Sequence, residues 1–216
     1  EVRAVVLTGT GKMFCAGGDL HSFAGQGDGM AEYMRHTPTG LHMAIARFSR
    51  MNAPYLTAIN GMAAGAGFSI AITGDLIFAG ESAKFTEAYT RIGVSPDGSS
   101  TYFLPRLVGP AKAKRLIFMN DILTAQEALE WGLVTEVVKD EELMSRTLEV
   151  AHELAAGPTM AFGEAKRLIA DTFSNTLETQ MEFETRAICG LVSHTEDAKT
   201  GIFGFANKEK FTFNGR

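Results

Sequence analysis

Two glycine-rich segments, Phe14-Cys15-Ala16-Gly17-Gly18-Asp19-Leu20 and Asn60-Gly61-Met62-Ala63-Ala64-Gly65-Ala66-Gly67-Phe68, each follow an apolar, β-branched run: Val5-Val6-Leu7 and Tyr55-Leu56-Thr57-Ala58-Ile59. Each therefore marks a strand giving way to a turn or a helix. Residues without bulky side chains let a ligand approach the main chain, and a helix N-terminus adds N–H groups with no internal partner and positive dipole character. Two such points can converge on one oxygen and stabilise negative charge developing on a carbonyl, the layout of an oxyanion hole. The same glycines would equally serve tight turns and close helix–strand packing. A carboxylate that could move a proton stands in Gly93-Val94-Ser95-Pro96-Asp97-Gly98-Ser99-Ser100. Pro96 stiffens the backbone and Gly98 relieves the turn, so Asp97 projects from a rigid loop. Pro-Asp-Gly is also a common turn and Asp a good residue just before a helix, and on residue types alone the turn-or-cap role is the stronger reading of Asp97.

The elements that would position these groups follow an α/β order. Gly25-Gln26-Gly27-Asp28-Gly29 reads as a flexible loop, and residues 31–50, with Leu41, Ile45 and Phe48 at helical spacing, as a helix crossing to the strand at Pro54 to Ile59. A helix opening near Gly65 returns to the strand Leu76-Ile77-Phe78-Ala79, with a shorter strand at Lys84-Phe85-Thr86. Such crossovers are expected to be right-handed. The chain turns helical from Ser99, with Lys112 to Met119 and Ala125 to Trp131 as candidates and Thr124 as N-cap of the latter. A last strand spans Val134 to Val138, and an amphipathic helix runs from Glu141 to a break at Gly157-Pro158. The break is read as a boundary between a core, 1–157, and a helical region, 158–216. Helices around Met160 to Thr172, Thr176 to Val192 and Glu196 to Asn207 carry more apolar face than a small appendage buries alone.

With 216 residues, 45% of them apolar, the chain can bury a substantial core. The 20 basic and 25 acidic residues are spread along it for a net charge of −5, so no polybasic arm points to nucleic acid or an anionic membrane surface. Cys15 and Cys189 have no framework spacing, and the five histidines have no metal-ligand spacing, which argues against structural disulfides and a metal site. The histidines, His42 among them, are read as ordinary surface or core residues. No apolar run reaches transmembrane length. Glu1 is not Met and a strand follows almost at once, so upstream sequence is expected to be missing; a cytoplasmic location is expected, or an organelle matrix if an upstream leader exists. Met30, Met34 and Met43, at helical spacing, are expected to line a pocket or fill core.

The two glycine segments, then Gly74-Asp75-Leu76-Ile77-Phe78-Ala79, Ala83-Lys84-Phe85 and Ala125-Gln126-Glu127-Ala128-Leu129-Glu130-Trp131-Gly132-Leu133-Val134, occur in the order seen in the crotonase superfamily, which comprises the enoyl-CoA hydratases and isomerases. The resemblance covers essentially the whole chain. It implies a spiral of repeated ββα units with a C-terminal helical region through which a trimer, or a pair of trimers, assembles. It implies a coenzyme A thioester as substrate, with no permanently bound cofactor, and places the oxyanion-hole donors on the main-chain N–H groups of Gly18 and Ala66. Cys15 to Leu20 would border the CoA adenine and pantetheine, so Ala16, Gly18, Asp19 and Leu20 are expected at the thioester together with Met62, Gly65, Ala66 and Tyr89. For Asp19 a capping role is preferred over a catalytic one.

Hydratases of this family hold and activate water with two glutamates, whose positions fall on Ser69 and Tyr89 here. A serine without a partner base is a weak proton acceptor, and a phenol near its reference pKa of about 10 stays protonated at neutral pH. Glu87 lies nearby in sequence as a weaker candidate base. A carboxylate at the position of Asp97 resembles the isomerase branches, where it carries the proton. Moving a double bond from C3 to C2 of a thioester removes a proton at C2 and returns one at C4, which one carboxylate can do. Ile92, Val94, Phe68 and Leu104 are expected to desolvate Asp97. The leading expectation is thus an enoyl-CoA isomerase using Asp97 with the Gly18 and Ala66 amides. Alternatives are a hydratase with shifted groups, an aryl-CoA dehalogenase-like enzyme with Asp97 as nucleophile, and a catalytically silent CoA-ester binder. The dehalogenase reading also asks for a histidine base and a tryptophan, and the only tryptophan, Trp131, sits in a structural motif.

Overall fold

The structure, a computed structural model, describes residues 2–216. Two four-stranded sheets divide the strands of the chain. One has the order β1 (Val5–Thr8), β3 (Tyr55–Ile59), β5 (Leu76–Gly80), β8 (Glu136–Val138); the other has β2 (Met13–Cys15), β4 (Met62–Ala64), β6 (Lys84–Thr86), β7 (Leu123–Thr124). The pairs β1–β2, β3–β4 and β5–β6 each feed one strand to each sheet before a helix follows, the ββα repeat expected from the resemblance, whereas a short helix separates β7 from β8. Strands β3, β5 and β8 are mutually parallel, as are β2, β4 and β6, while β7 pairs antiparallel with β6. Parallel strands covered on both faces read as unbroken apolar runs. Every residue of β3 is buried, and its Thr57 donates its hydroxyl proton to the carbonyl of Ala71 at 2.8 Å.

Helices α1 (Leu20–Ala24), α2 (Met30–His36) and α3 (Thr39–Arg50) join the first strand pair to the second. Sequence periodicity gave one helix over this stretch; the backbone divides it around Thr37-Pro38, because a proline has no N–H for the preceding turn. The glycine-rich stretch ahead of α2 contains a short 3-10 turn, Gly27–Gly29, rather than a featureless loop. The short helix α4 (Ala66–Ala71) follows β4, and α5 (Ser100–Met119) follows β6 with a break at Gly109, whose φ and ψ of 80° and 158° are not helical. Helix α6 (Ala125–Glu130) opens on a capping box in which Thr124 accepts from the Glu127 N–H and the Glu127 carboxylate accepts from the Thr124 N–H, as the sequence predicts for Thr124. A core of Ile59, Ile77 and Ala79 from one sheet, Ala63, Phe85 and Leu123 from the other, and Phe68, Leu104 and Leu116 from α4 and α5 holds these elements together. The three methionines lie elsewhere: Met30 and Met43 are exposed and Met34 is half-buried, because their helix faces point away from this cluster.

Apart from Val5, the last two residues of α3 and Tyr55, the elements above fall in one compact unit, Val6–Phe48 with Leu56–Thr147; the other gathers residues 2–5, Ser49–Tyr55 and Leu148–Arg216. The second unit contains most of α7 (Leu143–Ala155), then α8 (Thr159–Asp171), α9 (Leu177–His194) and α10 (Glu196–Asn207). Gly157-Pro158 lies inside this unit, between α7 and α8, since a Gly-Pro break ends a helix without ending its packing. The Arg3 guanidinium joins the N-terminal segment to it, donating to the carbonyls of Gly157 and Phe213 and to the Thr159 hydroxyl. Buried Asp197 accepts from the N–H groups of Asn214 and Gly215, each at 2.8 Å, and so anchors the C-terminus. No described helix is long and apolar enough to cross a membrane.

Candidate active site

The two glycine-rich turns lie against each other. Strands β2 and β4 pair with Cys15 opposite Ala63. Beyond them, a Cβ on Gly17 would stand 2.9 Å from the Ala64 carbonyl oxygen and 3.4 Å from the Ala66 nitrogen, and one on Gly67 would overlap the Cys15 carbonyl. Any side chain at either position would force the turns apart, so both glycines are required by close approach of backbone to backbone. Gly18 is exposed and Ala66, the first residue of α4, half-buried; among the described residues neither N–H donates to another main-chain group. Two unspent donors on neighbouring turns can serve one oxygen. Ala16 and Leu20 are exposed and Met62 and Gly65 half-buried around them. Asp19 caps α1, accepting from the N–H groups of His21 and Ser22 and, at 2.6 Å, from the Ser22 hydroxyl; these bonds, the hydroxyl's first, hold its carboxyl below the ordinary range.

Asp97 caps nothing. Helix α5 has Ser99 at its N-cap with no side-chain cap, and the Asp97 carboxylate instead meets His42 of α3, Oδ1 to Nε2 at 2.8 Å, with each side chain 48% exposed. The apolar enclosure expected for Asp97 is therefore absent: Phe68 and Leu104 are spent in the core, and Ile92 is itself exposed. The main-chain carbonyl of Asp97 accepts from the Ser69 hydroxyl at 2.7 Å and from the Tyr89 hydroxyl at 3.2 Å, and the two hydroxyls are 3.0 Å apart. Since Ser69 belongs to α4, the Asp97 loop is tied one helical turn from Ala66. Burial pushes the Tyr89 phenol up to about 12, so it keeps its proton.

His42 is the residue that sequence reasoning missed. It stands far from Asp97 along the chain, and nothing in its local spacing marks it; only the need of the dehalogenase-like reading for a histidine base pointed towards one. Trp131, by contrast, closes α6 with Lys112 and Arg115 over its ring, and takes no part in the contacts around Asp97. Glu87 is fully buried. Its Oε2 accepts from the Ser100 hydroxyl at 3.4 Å, and its Oε1 has no hydrogen-bond partner among the described residues. Burial outweighs the Ser100 bond and raises its pKa from the ordinary 4.5 to about 7. It faces the core, two residues and one left-handed backbone step (Ala88, φ 58°) away from Tyr89.

The whole described site lies in a chain whose residues 1–216 match the enoyl-CoA hydratase/isomerase family. The chain belongs to that family. It is 35% identical to the 1,2-epoxyphenylacetyl-CoA isomerase of Escherichia coli, matching all of this chain and 82% of that protein. It is 37% identical to 4-chlorobenzoyl coenzyme A dehalogenase-1 of an Arthrobacter species, over 97% of this chain and 76% of that one. Among solved structures, an enoyl-CoA hydratase from Bacillus anthracis superposes with a TM-score of 0.89 at 33% identity, covering 99% of this chain and 82% of that chain. The crotonase-like α/β fold and the acyl-CoA class of enzyme follow, while these relatives carry out different reactions.

Glu87 gives the site a pH signature in stability. Its folded pKa of about 7 exceeds its unfolded value, so the folded protein holds the proton more tightly and stability falls as pH rises from about 4.5 through 7. A raised value of this size corresponds to about 3 kcal/mol. Glu87→Gln keeps shape and removes the ionisation. Urea unfolding at pH 5 and pH 8 is expected to show the variant gaining on wild type by that order at the higher pH; an equal difference at both would mean that Glu87 does not titrate in this range.

Proposed function

We propose that the protein is an enoyl-CoA isomerase in which Asp97 transfers a proton from C2 to C4 of a CoA thioester while the Gly18 and Ala66 N–H groups hold the thioester oxygen. The observation that carries the reading is the placing of Asp97: its carboxylate is open to a substrate on a loop bonded to the helix that begins at Ala66. Neighbouring acids are unavailable, since Glu87 is sealed in the core and the Ser69 and Tyr89 protons are engaged by protein. Loss of the C2 proton leaves an enolate whose negative oxygen the two amides would meet. Asp97, now protonated, returns the proton at C4, and the double bond has moved without net consumption of water. His42 would hold the carboxylate between the two carbons.

The His42 contact favours a second, hydrolytic reading. Asp97 would attack the halogen-bearing ring carbon of an aryl-CoA thioester, halide would leave, and His42 would take a proton from the water that cleaves the resulting aspartyl ester. One oxygen from solvent would then remain in the Asp97 carboxylate.

Self-association is proposed through the C-terminal helices. Leu177 is 70%, Ile188 64% and Phe205 84% exposed on α9 and α10, large apolar side chains that an interface would cover. The trimer or hexamer implied by the resemblance would cover it.

Asp97→Asn is expected to lower isomerisation of 3-enoyl-CoA and C2 deuterium exchange in heavy water by ~10² or more while leaving CoA-thioester affinity nearly unchanged. Retained turnover would remove Asp97 from the mechanism. Appearance of solvent ¹⁸O in the Asp97 peptide during turnover of a 4-halobenzoyl-CoA would move the assignment to the hydrolytic reading. Ala66→Pro removes one donor at the first position of a helix, where proline fits, and should cost ~10² to 10³ in rate; a folded, thioester-binding variant at full rate would refute the oxyanion assignment. Sedimentation of the protein at micromolar concentration should give a trimer or larger, and a monomer there would contradict the proposed interface.

A further inference from the structure

We infer that Ser69 and Tyr89 act together as a clamp on the main-chain carbonyl of Asp97, positioning its carboxylate without touching the substrate. The inference rests on the reading of Asp97 as the reacting carboxylate and concerns what places it.

The proton count sets the direction of the bonds. The Ser69 hydroxyl has one proton, and of the acceptors it reaches, Asp97 O at 2.7 Å is nearer than Gly65 O at 3.3 Å. With that proton spent, the 3.0 Å contact between the hydroxyls requires Tyr89 to donate to Ser69 Oγ, sharing its proton with Asp97 O at 3.2 Å. The Ser100 N–H reaches the same carbonyl at 3.4 Å. One oxygen thus collects donors from α4, from the turn after β6 and from the start of α5. Both hydroxyl protons are consumed within the protein, which leaves neither to bind a thioester or polarise a water. Burial keeps the phenol protonated, so the Tyr89 donor persists at all ordinary pH.

The loop needs such an anchor. Asp97 is followed by two residues in the left-handed region, Gly98 with φ 62° and Ser99 with φ 68°, of which Ser99 has a side chain and so is held there against its preference. A Cβ on Gly98 would lie 2.9 Å from Ser69 Cβ, so the loop is seated directly on the clamping residue. The carboxylate itself is half exposed, and His42 is the hydrogen-bond partner it meets. Its place relative to His42 is therefore decided by where the main chain is fixed.

The test uses the full chain as wild type, Ser69→Ala, Tyr89→Phe, the double variant and Asp97→Asn. Four quantities are measured: kcat and KM for 3-enoyl-CoA, the Kd of an unreactive saturated acyl-CoA, the melting temperature, and the His42 ring signal by NMR. Each single variant is expected to lower kcat 10- to 100-fold, the scale of a misplacement near 1 Å, with KM and Kd within about twofold. The double variant should lose less than the product of the two, because Tyr89 acts partly through Ser69. The His42 signal should shift towards its position in Asp97→Asn, a change that loss of stability alone does not produce. A raised KM at unchanged kcat would show that the hydroxyls bind substrate and would overturn the clamp. So would wild-type kcat and an unmoved His42 signal in both single variants. If Asp97→Asn keeps full turnover, the reading of Asp97 falls while the His42 signal still decides the clamp. If Ser69→Ala does not fold, Tyr89→Phe, which keeps the ring, decides it alone.

Discussion

The contact between the two glycine-rich turns is the constraint from which the rest of the site follows. Gly67 at the start of α4 lies so close to the Cys15 carbonyl that no side chain fits between them, and Gly17 returns the approach towards Ala64 and Ala66. Because β2 and β4 are paired neighbours, this approach is set by sheet register as well as by turn chemistry. It fixes where α4 begins, and hence where its first N–H points and where, one turn on, Ser69 stands. The Asp97 loop is then bonded to Ser69. Donors for an oxygen and a carboxylate for a proton are thus referred to a single short helix.

Burial sorts the acids around that helix. Glu87, buried with the Ser100 hydroxyl as its hydrogen-bond partner among the described residues, is raised by burial to about 7 and so is mostly uncharged at pH values well below that. Tyr89, also partly buried, remains a donor throughout. Asp97 keeps contact with solvent and with a histidine. Acidic groups close together in sequence are thereby given separate tasks by environment rather than by residue type, the division that proton-transfer sites in general require.

The helical unit follows a different logic. Polar ties cross it, from the half-buried Arg3 to Gly157 and Phe213 and from Asp197 to the C-terminal backbone, the latter satisfying a carboxylate that would otherwise be buried unpaired. Its outer faces are apolar and open. Covering such side chains, as the proposed self-association would, removes apolar surface from water, a favourable change.

Most of the fold was legible in the residues alone. The buried strands read as apolar runs, Thr124 announced a helix start, Asp19 was readable as a cap, and collinear motifs carried the family resemblance, all of them local patterns written in neighbouring residues. What was read wrongly or not at all depended on distance in space. The division of strands between two sheets gave β2, β4 and β7 partners that such short segments do not advertise. On residue types alone Asp97 looked like a turn or cap residue because its neighbours are turn residues, and only the resemblance made it a proton carrier; its partner, His42, arrives from α3. Ser69 and Tyr89, legible as replacements for acids, acquired a joint acceptor only when α4 and the turn after β6 were brought to the same carbonyl. Sequence therefore determined which elements form and which chemistry is on hand, since propensity, capping and periodicity act between residues a few positions apart. The tertiary structure alone decided which groups share protons, because a hydrogen bond depends on positions to a few tenths of an ångström, and only packing specifies those for residues remote in the chain.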